Sequence, residues 1–116
     1  MNKLASAALF LLLGYGAAVA TPVVSGGYFS SGQGQYALAV TTNTTLTVPA
    51  NTAGAEICVE TAGVRYTDDG TSASSSTGIP VAAGVCFQYF GPLSKLKFTA
   101  QSGSPTLDVS YYRESN

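Results

Sequence analysis

Short runs in which apolar and polar residues alternate, separated by turn-forming residues, recur along the chain from residue 36 onward. In one such run the apolar Ile57 and Val59 alternate with polar neighbours. A period of two residues is typical of strands that bury one face, and no convincing helix follows residue 20. The spacing of the turns predicts an all-β fold, a small antiparallel β-sandwich or jelly-roll-like barrel of seven or eight short strands. The residues expected on the apolar faces are Tyr36, Leu38, Val40, Leu46, Val48, Ile57, Val59, Val64, Tyr66, Val85, Phe87, Tyr89, Leu96, Phe98, Leu107, Val109 and Tyr111.

The chain of 116 residues has room for one domain, and its composition divides it into three parts. Residues 1–20 form a signal-like or retained apolar segment that precedes the β-structure. Residues 21–35 form a Gly/Ser-rich arm. Residues 36–116 are expected to form the β-sandwich domain.

The first part has the layout of a secretory signal peptide. It begins with one cation, Lys3, continues with an apolar stretch over residues 4–20, and ends on the A-x-A pattern Ala18-Val19-Ala20. As a helix the stretch would be about 25 Å long, shorter than a hydrocarbon core of about 30 Å, so a cleaved signal is favoured over a membrane span. The alternative is a retained arm that packs against a partner subunit or a lipid layer. Membrane contact is expected only through this segment, if it is retained.

Three aromatic residues are candidate interface residues. Tyr28 and Phe29 lie in the Gly/Ser-rich arm, where an aromatic pair fits an arm docked on a neighbour, or a first edge strand, better than a plain linker. Tyr111 and Tyr112 are expected to place one ring on each face of the last strand, with one ring in the core. Tyrosine is enriched at interfaces, so Tyr112 is the candidate anchor. The alternative is that this ring only covers the outer face of the sheet.

The charges and the missing histidine exclude two broad function classes. The chain has five cations and six anions, with no basic motif longer than Lys95-Leu96-Lys97, and nucleic-acid binding needs clustered cations. Histidine, the commonest general base and metal ligand, is absent. Glu56 and Glu60 resemble a carboxylate dyad, but four strand residues separate them by about 13 Å, too far for a glycosidase pair. We expect no enzymatic activity, no catalytic or metal-binding residue, no cofactor and no nucleic-acid partner.

Cys58 and Cys86 both lie in mid-strand on the polar faces. If their strands are neighbours, a disulfide is geometrically plausible, provided that the Cα atoms lie within about 7 Å of each other. The alternative is two free thiols that behave as small apolar side chains. Both remain open, because connectivity cannot be deduced from the sequence.

The remaining polar features favour structural roles. Asp68-Asp69-Gly70 fits a turn better than a calcium loop, because the alternating acidic ligands of such loops are missing. Residues 72–77 are expected to form a mobile, hydroxyl-rich surface loop that contacts a partner. Cross-strand pairs of opposite charge are expected among the outward-facing residues, which are Glu56, Glu60, Arg65, Lys95, Lys97 and Asp108.

Over residues 55–113 the sequence resembles a family of small structural proteins of tailed-phage particles. The resemblance covers about half of the chain and consists of turn and strand residues. The motifs that carry it are Val64-Arg65-Tyr66, Asp68-Asp69-Gly70-Thr71, Gly78-Ile79-Pro80, Ala82-Ala83-Gly84, Leu96-Lys97-Phe98 and Val109-Ser110-Tyr111-Tyr112-Arg113.

The resemblance implies a non-enzymatic virion protein, such as a capsid decoration (cement) protein or a minor head or tail component. Its partners would be other virion subunits, such as the major capsid or tail protein, and we expect a homo-oligomer located in the virion. Because phage particles assemble in the cytoplasm, the signal-like residues 1–20 favour an alternative. That alternative is an exported bacterial β-sandwich, secreted or at the cell surface, that binds a ligand or polymer.

Overall fold

The computed structural model describes residues 27–114, which fold into two antiparallel β-sheets without an α-helix. The predicted all-β sandwich is confirmed, with seven strands in the described residues. A single turn of 3₁₀ helix at Leu93–Lys95 precedes the sixth strand. The strands are β1 (Tyr28–Ala39), β2 (Gly54–Glu60), β3 (Val64–Thr67), β4 (Ile79–Val81), β5 (Cys86–Tyr89), β6 (Lys97–Ala100) and β7 (Thr106–Glu114).

The larger sheet has the strand order β1-β7-β2-β5 and the smaller sheet the order β4-β3-β6. The core lies between the sheets, and β2 and β7 line it with the alternation expected from the sequence. Ile57, Val59, Leu107 and Val109 are fully buried. They pack in one cluster with Phe98 and other residues of the smaller sheet. The outward-facing residues of the same two strands lie on the solvent-facing side of the larger sheet, which we call the outer face.

The first strand departs from the predicted alternation. It carries two register shifts against β7, between Ser30 and Gly34 and between Gln35 and Leu38. Each extra residue of a bulge moves the following side chains to the opposite face. Tyr36, which we predicted to share a face with the core residue Val40, is 70% exposed as a result. That prediction was wrong.

The Gly/Ser-rich segment predicted as an arm over residues 21–35 is in part a strand. Its described residues from Tyr28 onward belong to β1, so the predicted boundary at residue 36 falls inside a strand. Ser31 donates a hydrogen bond to the Tyr111 carbonyl (3.0 Å), and Gln35 accepts one from the Tyr111 hydroxyl (2.6 Å). These side chains satisfy polar groups where the bulges interrupt the ladder. The predicted segment 1–20 lies outside the described residues.

Side-chain hydrogen bonds fix the conformation of two loops of the smaller sheet, residues 68–71 and 72–77. Asp69 accepts bonds from the amide (3.0 Å) and hydroxyl (2.6 Å) of Thr71, which lower the pKa of Asp69, and Gly70 has a φ of 87°. The turn interpretation is therefore confirmed.

Residues 72–77, predicted as a mobile loop, are anchored at Ala73. The Ala73 amide donates a hydrogen bond to Asn43 Oδ1 (2.9 Å), and the buried Thr99 hydroxyl donates one to the Ala73 carbonyl (3.2 Å).

The outward-facing charges do not form the expected opposite-charge pairs along β2. Glu60 lies opposite Thr106 in the register with β7, and its charged neighbour is Asp108. A side-chain hydrogen bond with the Asp108 carboxyl group, and then repulsion between the two charges, raise the pKa of Glu60. Arg65 instead donates to the carbonyls of Ser75 (3.1 Å) and Gly78 (2.9 Å).

Replacing Glu60 with glutamine is expected to stabilise the fold near neutral pH, by a rise of at most about a few degrees in melting temperature. Because the folded state raises the pKa of Glu60, this carboxyl group binds its proton more tightly when folded. Protonated Glu60 therefore contributes its full stabilisation below the unfolded pKa of 4.5. This contribution is lost as the pH rises through the higher folded pKa. Thermal melts of E60Q and of the control E56Q at pH 3.5 and 7 test this. A gain for E60Q at pH 3.5 as large as at pH 7 would contradict it.

Candidate interaction surface

Three aromatic rings, two exposed and one half-buried, meet on the outer face, at the end of the larger sheet where β1 begins. The Tyr28 and Phe90 ring centroids lie 4.6 Å apart, and the Phe90 and Tyr112 centroids 6.1 Å apart, with the latter two rings near parallel. We call Tyr28, Phe90 and Tyr112 the aromatic surface. Tyr28 is 47% and Phe90 44% exposed, so apolar area at this end faces solvent.

A glycine under the Phe90 ring allows this arrangement. Gly54 opens β2 and lies directly opposite Tyr112 in the register with β7. A Cβ atom there would collide with the Phe90 ring and lie 2.9 Å from the Tyr89 carbonyl oxygen. Gly54 is buried although it points to the outer face, because the Phe90 ring covers it. The ring can therefore cross the sheet from the end of β5 towards β7 and β1.

The groups beside the aromatic surface are polar, and two of them are carboxylates: Glu56 on β2, and Glu114, which lies directly opposite Tyr28 in the β1–β7 register. The side-chain amide of Gln88 donates to the Tyr112 hydroxyl at 3.4 Å. Glu56 lies between Gln88 and Ser110 in the register of the larger sheet. Such a patch, apolar at its centre with a polar rim, resembles the anatomy of protein–protein interfaces.

The structure places two of the three predicted interface residues, Tyr28 and Tyr112, in the same aromatic surface. Tyr28 and Tyr112 both contact Phe90, whereas Phe29 lies opposite Arg113 in the β1–β7 register. The Arg113 guanidinium carbon stands 5.9 Å from the centre of the Phe29 ring, a cation–π contact. Phe29 is 52% exposed, but it and Arg113 take the same parity as the inward-facing Tyr111, so this pair lies on the opposite face of the larger sheet from the aromatic surface.

Sequence reasoning missed Phe90 and Gly54. Phe87 and Tyr89 take the inner positions of β5, which places Phe90 on the same parity as Gln88. An aromatic residue at an outward-facing, otherwise polar position of the strand pattern could therefore have indicated a surface site. The role of Gly54 has no such signal, because it depends on which strand lies beside β5.

The same outer face carries a disulfide between Cys58 and Cys86. The two residues are direct partners in the β2–β5 register, and their Cα atoms lie 3.9 Å apart, inside the limit of about 7 Å. Glu56 lies near enough to form a three-residue group with the two sulfur atoms. While the sulfurs are bonded to each other, neither offers the thiolate that binds a metal ion.

A tyrosine links the two sheets at the end of β5. The Tyr89 hydroxyl donates to Asp68 Oδ2 at 2.9 Å. Desolvation, followed by this hydrogen bond, raises the pKa of Tyr89 to about 12. Burial likewise raises the pKa of Tyr66, whose ring stacks on Phe87 at 5.4 Å. These tyrosines stay protonated in the neutral range and act as neutral structural groups.

A groove of about 580 Å³ is lined by residues 39–42, 73–75, 99–100 and 103–106. Its polar groups are hydroxyls and backbone amides, and none of these lining residues titrates. Activation of a hydroxyl nucleophile requires an adjacent base, which the described lining does not supply.

Comparison with protein-family models, with curated proteins and with solved structures finds no match. Within residues 27–114 there is no helix long and apolar enough to cross a membrane. The functional assignment therefore depends on the surface itself and on the sequence features described above.

Proposed function

We propose that this protein is a non-enzymatic structural component of a phage particle, a capsid decoration protein or a minor head or tail protein. It acts through contacts between subunits. The sequence resemblance to small virion proteins motivates the assignment. The aromatic surface is the observation that supports a role in assembly.

The aromatic surface fits a protein partner in composition and position. Tyrosine, phenylalanine and arginine are enriched at protein interfaces, and lysine and glutamate are depleted. The surface contains two tyrosines and a phenylalanine. Exposed apolar patches that have a polar rim commonly mark interaction sites.

The chemistry of the chain supports a non-enzymatic role. It has no histidine, and the hydroxyl-lined groove has no titratable lining residue. The tyrosines with raised pKa values, Tyr66, Tyr89 and Tyr111, are each shifted first by burial, as expected for structural groups.

Replacing Phe90 with serine is expected to reduce binding to the partner subunits at least tenfold while leaving the fold intact. Central aromatic residues of an interface commonly contribute more than 1 kcal/mol, and about 1.4 kcal/mol corresponds to a factor of ten. The measurement is incorporation of the variant into particles in competition with the wild type. Tyr36→Ser is the matched control, because Tyr36 is 70% exposed and lies outside the aromatic surface. Equal incorporation of F90S and wild type would contradict the proposal.

A second candidate function is supported by the Cys58–Cys86 disulfide. Disulfides form and persist in oxidising compartments, and residues 1–20 have a signal-like layout. Both features fit an exported surface protein whose aromatic surface binds a ligand or polymer. Recovery of the protein from the cell surface or medium, in cells that produce no particles, would favour this candidate.

A further inference from the structure

The strand β5 ends the larger sheet, and its outer edge is open in the described part of the chain. The strand order β1-β7-β2-β5 gives β5 one neighbour, β2. Val59 donates a backbone hydrogen bond to the Val85 carbonyl (2.9 Å), so every second residue from Val85 onward directs its backbone groups to β2. The intervening residues Cys86 and Gln88 direct theirs to the outer edge, where no backbone group within residues 27–114 pairs with them.

We propose that the outer edge of β5 pairs antiparallel with the same edge of a second copy of this chain. The two copies are related by a twofold axis at Gln88, so that Gln88 lies opposite Gln88 of the second copy. The two larger sheets then join into one continuous sheet. The inference goes beyond the proposed function, because it names a partner and an edge. It applies equally to a virion subunit and to an exported protein.

The other sheet edges carry features that hinder such pairing. The strand β4 has three residues, and its Pro80 offers no N–H. The edge of β6 is covered where Thr44 exchanges two backbone hydrogen bonds with Phe98 (2.7 and 2.9 Å). The strand β1 is long, but two register shifts interrupt it, and bulges bend an edge away from a partner. Within the described residues, β5 is therefore the edge best suited to pair.

The composition of residues 85–90 suits a strand that meets its own copy. The six residues contain no charge, no proline and no glycine, and valine and aromatic residues favour strands. Two copies therefore place no like charges directly opposite each other on β5. Glu56 lies beside Gln88 on β2. It would be three strand spacings, about 14 Å, from its counterpart in the second copy, beyond a screening length of about 8 Å.

The backbone selects the register of this pairing. A centre at Phe87 is excluded, because its backbone groups are already directed to β2. A centre two residues before Gln88 would bring Gly84, with a φ of 88°, into the ladder. A centre two residues after Gln88 would bring Pro92, which has no N–H, opposite Gln88. The centre at Gln88 avoids both and places Phe87 opposite Tyr89 of the second copy.

The side chains leave the edge of β5 accessible and hold the strand in place. The Phe90 ring lies towards Tyr112 on β7, away from the outer edge. The Cys58–Cys86 disulfide fastens β5 to β2, so the strand loses little freedom when it pairs. On the inner face, the half-buried Phe87 would contact a tyrosine of the second copy, and such aromatic cross-strand pairs stabilise a sheet.

Sedimentation and hydrogen exchange of the oxidised full chain test the proposal. Between about 10 μM and 1 mM, where weak protein pairs associate, we expect a monomer–dimer equilibrium. The Cys86 and Gln88 amides should become protected from exchange as the concentration rises. The Phe87 and Tyr89 amides should be protected throughout, because they face β2. A monomer at every concentration, or a dimer in which the Cys86 and Gln88 amides stay unprotected, would overturn the proposal.

Gln88→Lys is the variant expected to weaken the pairing. It places two like charges opposite each other at the twofold axis, so the dissociation constant of the dimer should rise at least about tenfold. Retained protection of the Phe87 amide in this variant shows that the fold is intact. The matched control Gln33→Lys adds the same charge to an exposed position of the edge strand β1 and should leave dimerisation unchanged. Loss of the dimer in Q33K but not in Q88K would place the contact at β1 and overturn the proposal.

The result is separable from the test of the proposed function. If the wild type dimerises through β5 but F90S enters particles normally, the edge pairing is correct and the proposed role of the aromatic surface is wrong. If the wild type stays monomeric but F90S fails to enter particles, the aromatic surface is an interface and the edge pairing is wrong.

Discussion

Replacing both cysteines with alanine is expected to lower the free energy of unfolding by roughly 3 to 4 kcal/mol. Cys58 and Cys86 are 28 residues apart, and closing a loop of that length removes about this much conformational freedom from the unfolded chain in the entropy model. For a domain of this size the melting temperature should fall by about 12 to 32 °C. Differential scanning calorimetry of C58A/C86A against the oxidised wild type measures the loss.

The reduced wild-type protein is the control for this prediction. Because it keeps both cysteines but has no cross-link, its melting temperature should approach that of C58A/C86A. If reduction leaves the melting temperature unchanged, the disulfide does not contribute to stability in the way described.

Replacing Phe98 with alanine is expected to destabilise the domain by about 3 to 5 kcal/mol. Phe98 lies on β6 of the smaller sheet and is fully buried. It packs in one cluster with Ile57 and Leu107 of the larger sheet, so the cavity would lie in the core that both sheets share. Urea unfolding should show a lower midpoint and a single cooperative transition.

The matched control is Ile79→Ala on β4 of the same sheet. Ile79 is 50% exposed, so its truncation should cost less than about 1 kcal/mol. Hydrogen exchange separates a shared core from two independent sheets. If F98A loses amide protection in β3 and β6 while β2 and β7 keep theirs, the two sheets do not form one cooperative core.

The sequence predicted the strands that follow a simple alternation. β2 and β7 place their apolar residues inward in the expected order, because an inner residue at every second position is all that a regular strand needs. The alternation predicted β1 wrongly, because bulges within this strand change which face the following side chains point to. Gly34 and the left-handed Ala37, with a φ of 56°, lie at or within these shifts, but no local pattern specified how β1 would pair with β7.

The interaction surface could be predicted only in part, because it depends on strand order. Tyr28 and Tyr112 are 84 positions apart in the sequence, and only the β1–β7 pairing makes them neighbours. Phe90 joins them by crossing β2 over Gly54. Similarly, Glu60 and Asp108 come together because β2 pairs with β7, a contact between like charges that alternation alone does not reveal.

The central claim is that this chain is a structural subunit of a particle and carries an internal Cys58–Cys86 disulfide. The most direct measurement is intact mass, under non-reducing conditions, of the protein recovered from purified particles and from the particle-free fraction of its native source. The account predicts that the protein is in the particle fraction, with a mass two hydrogens below that of the reduced chain. Recovery only as a monomer in the particle-free fraction, or with both thiols free in the particles, would contradict it.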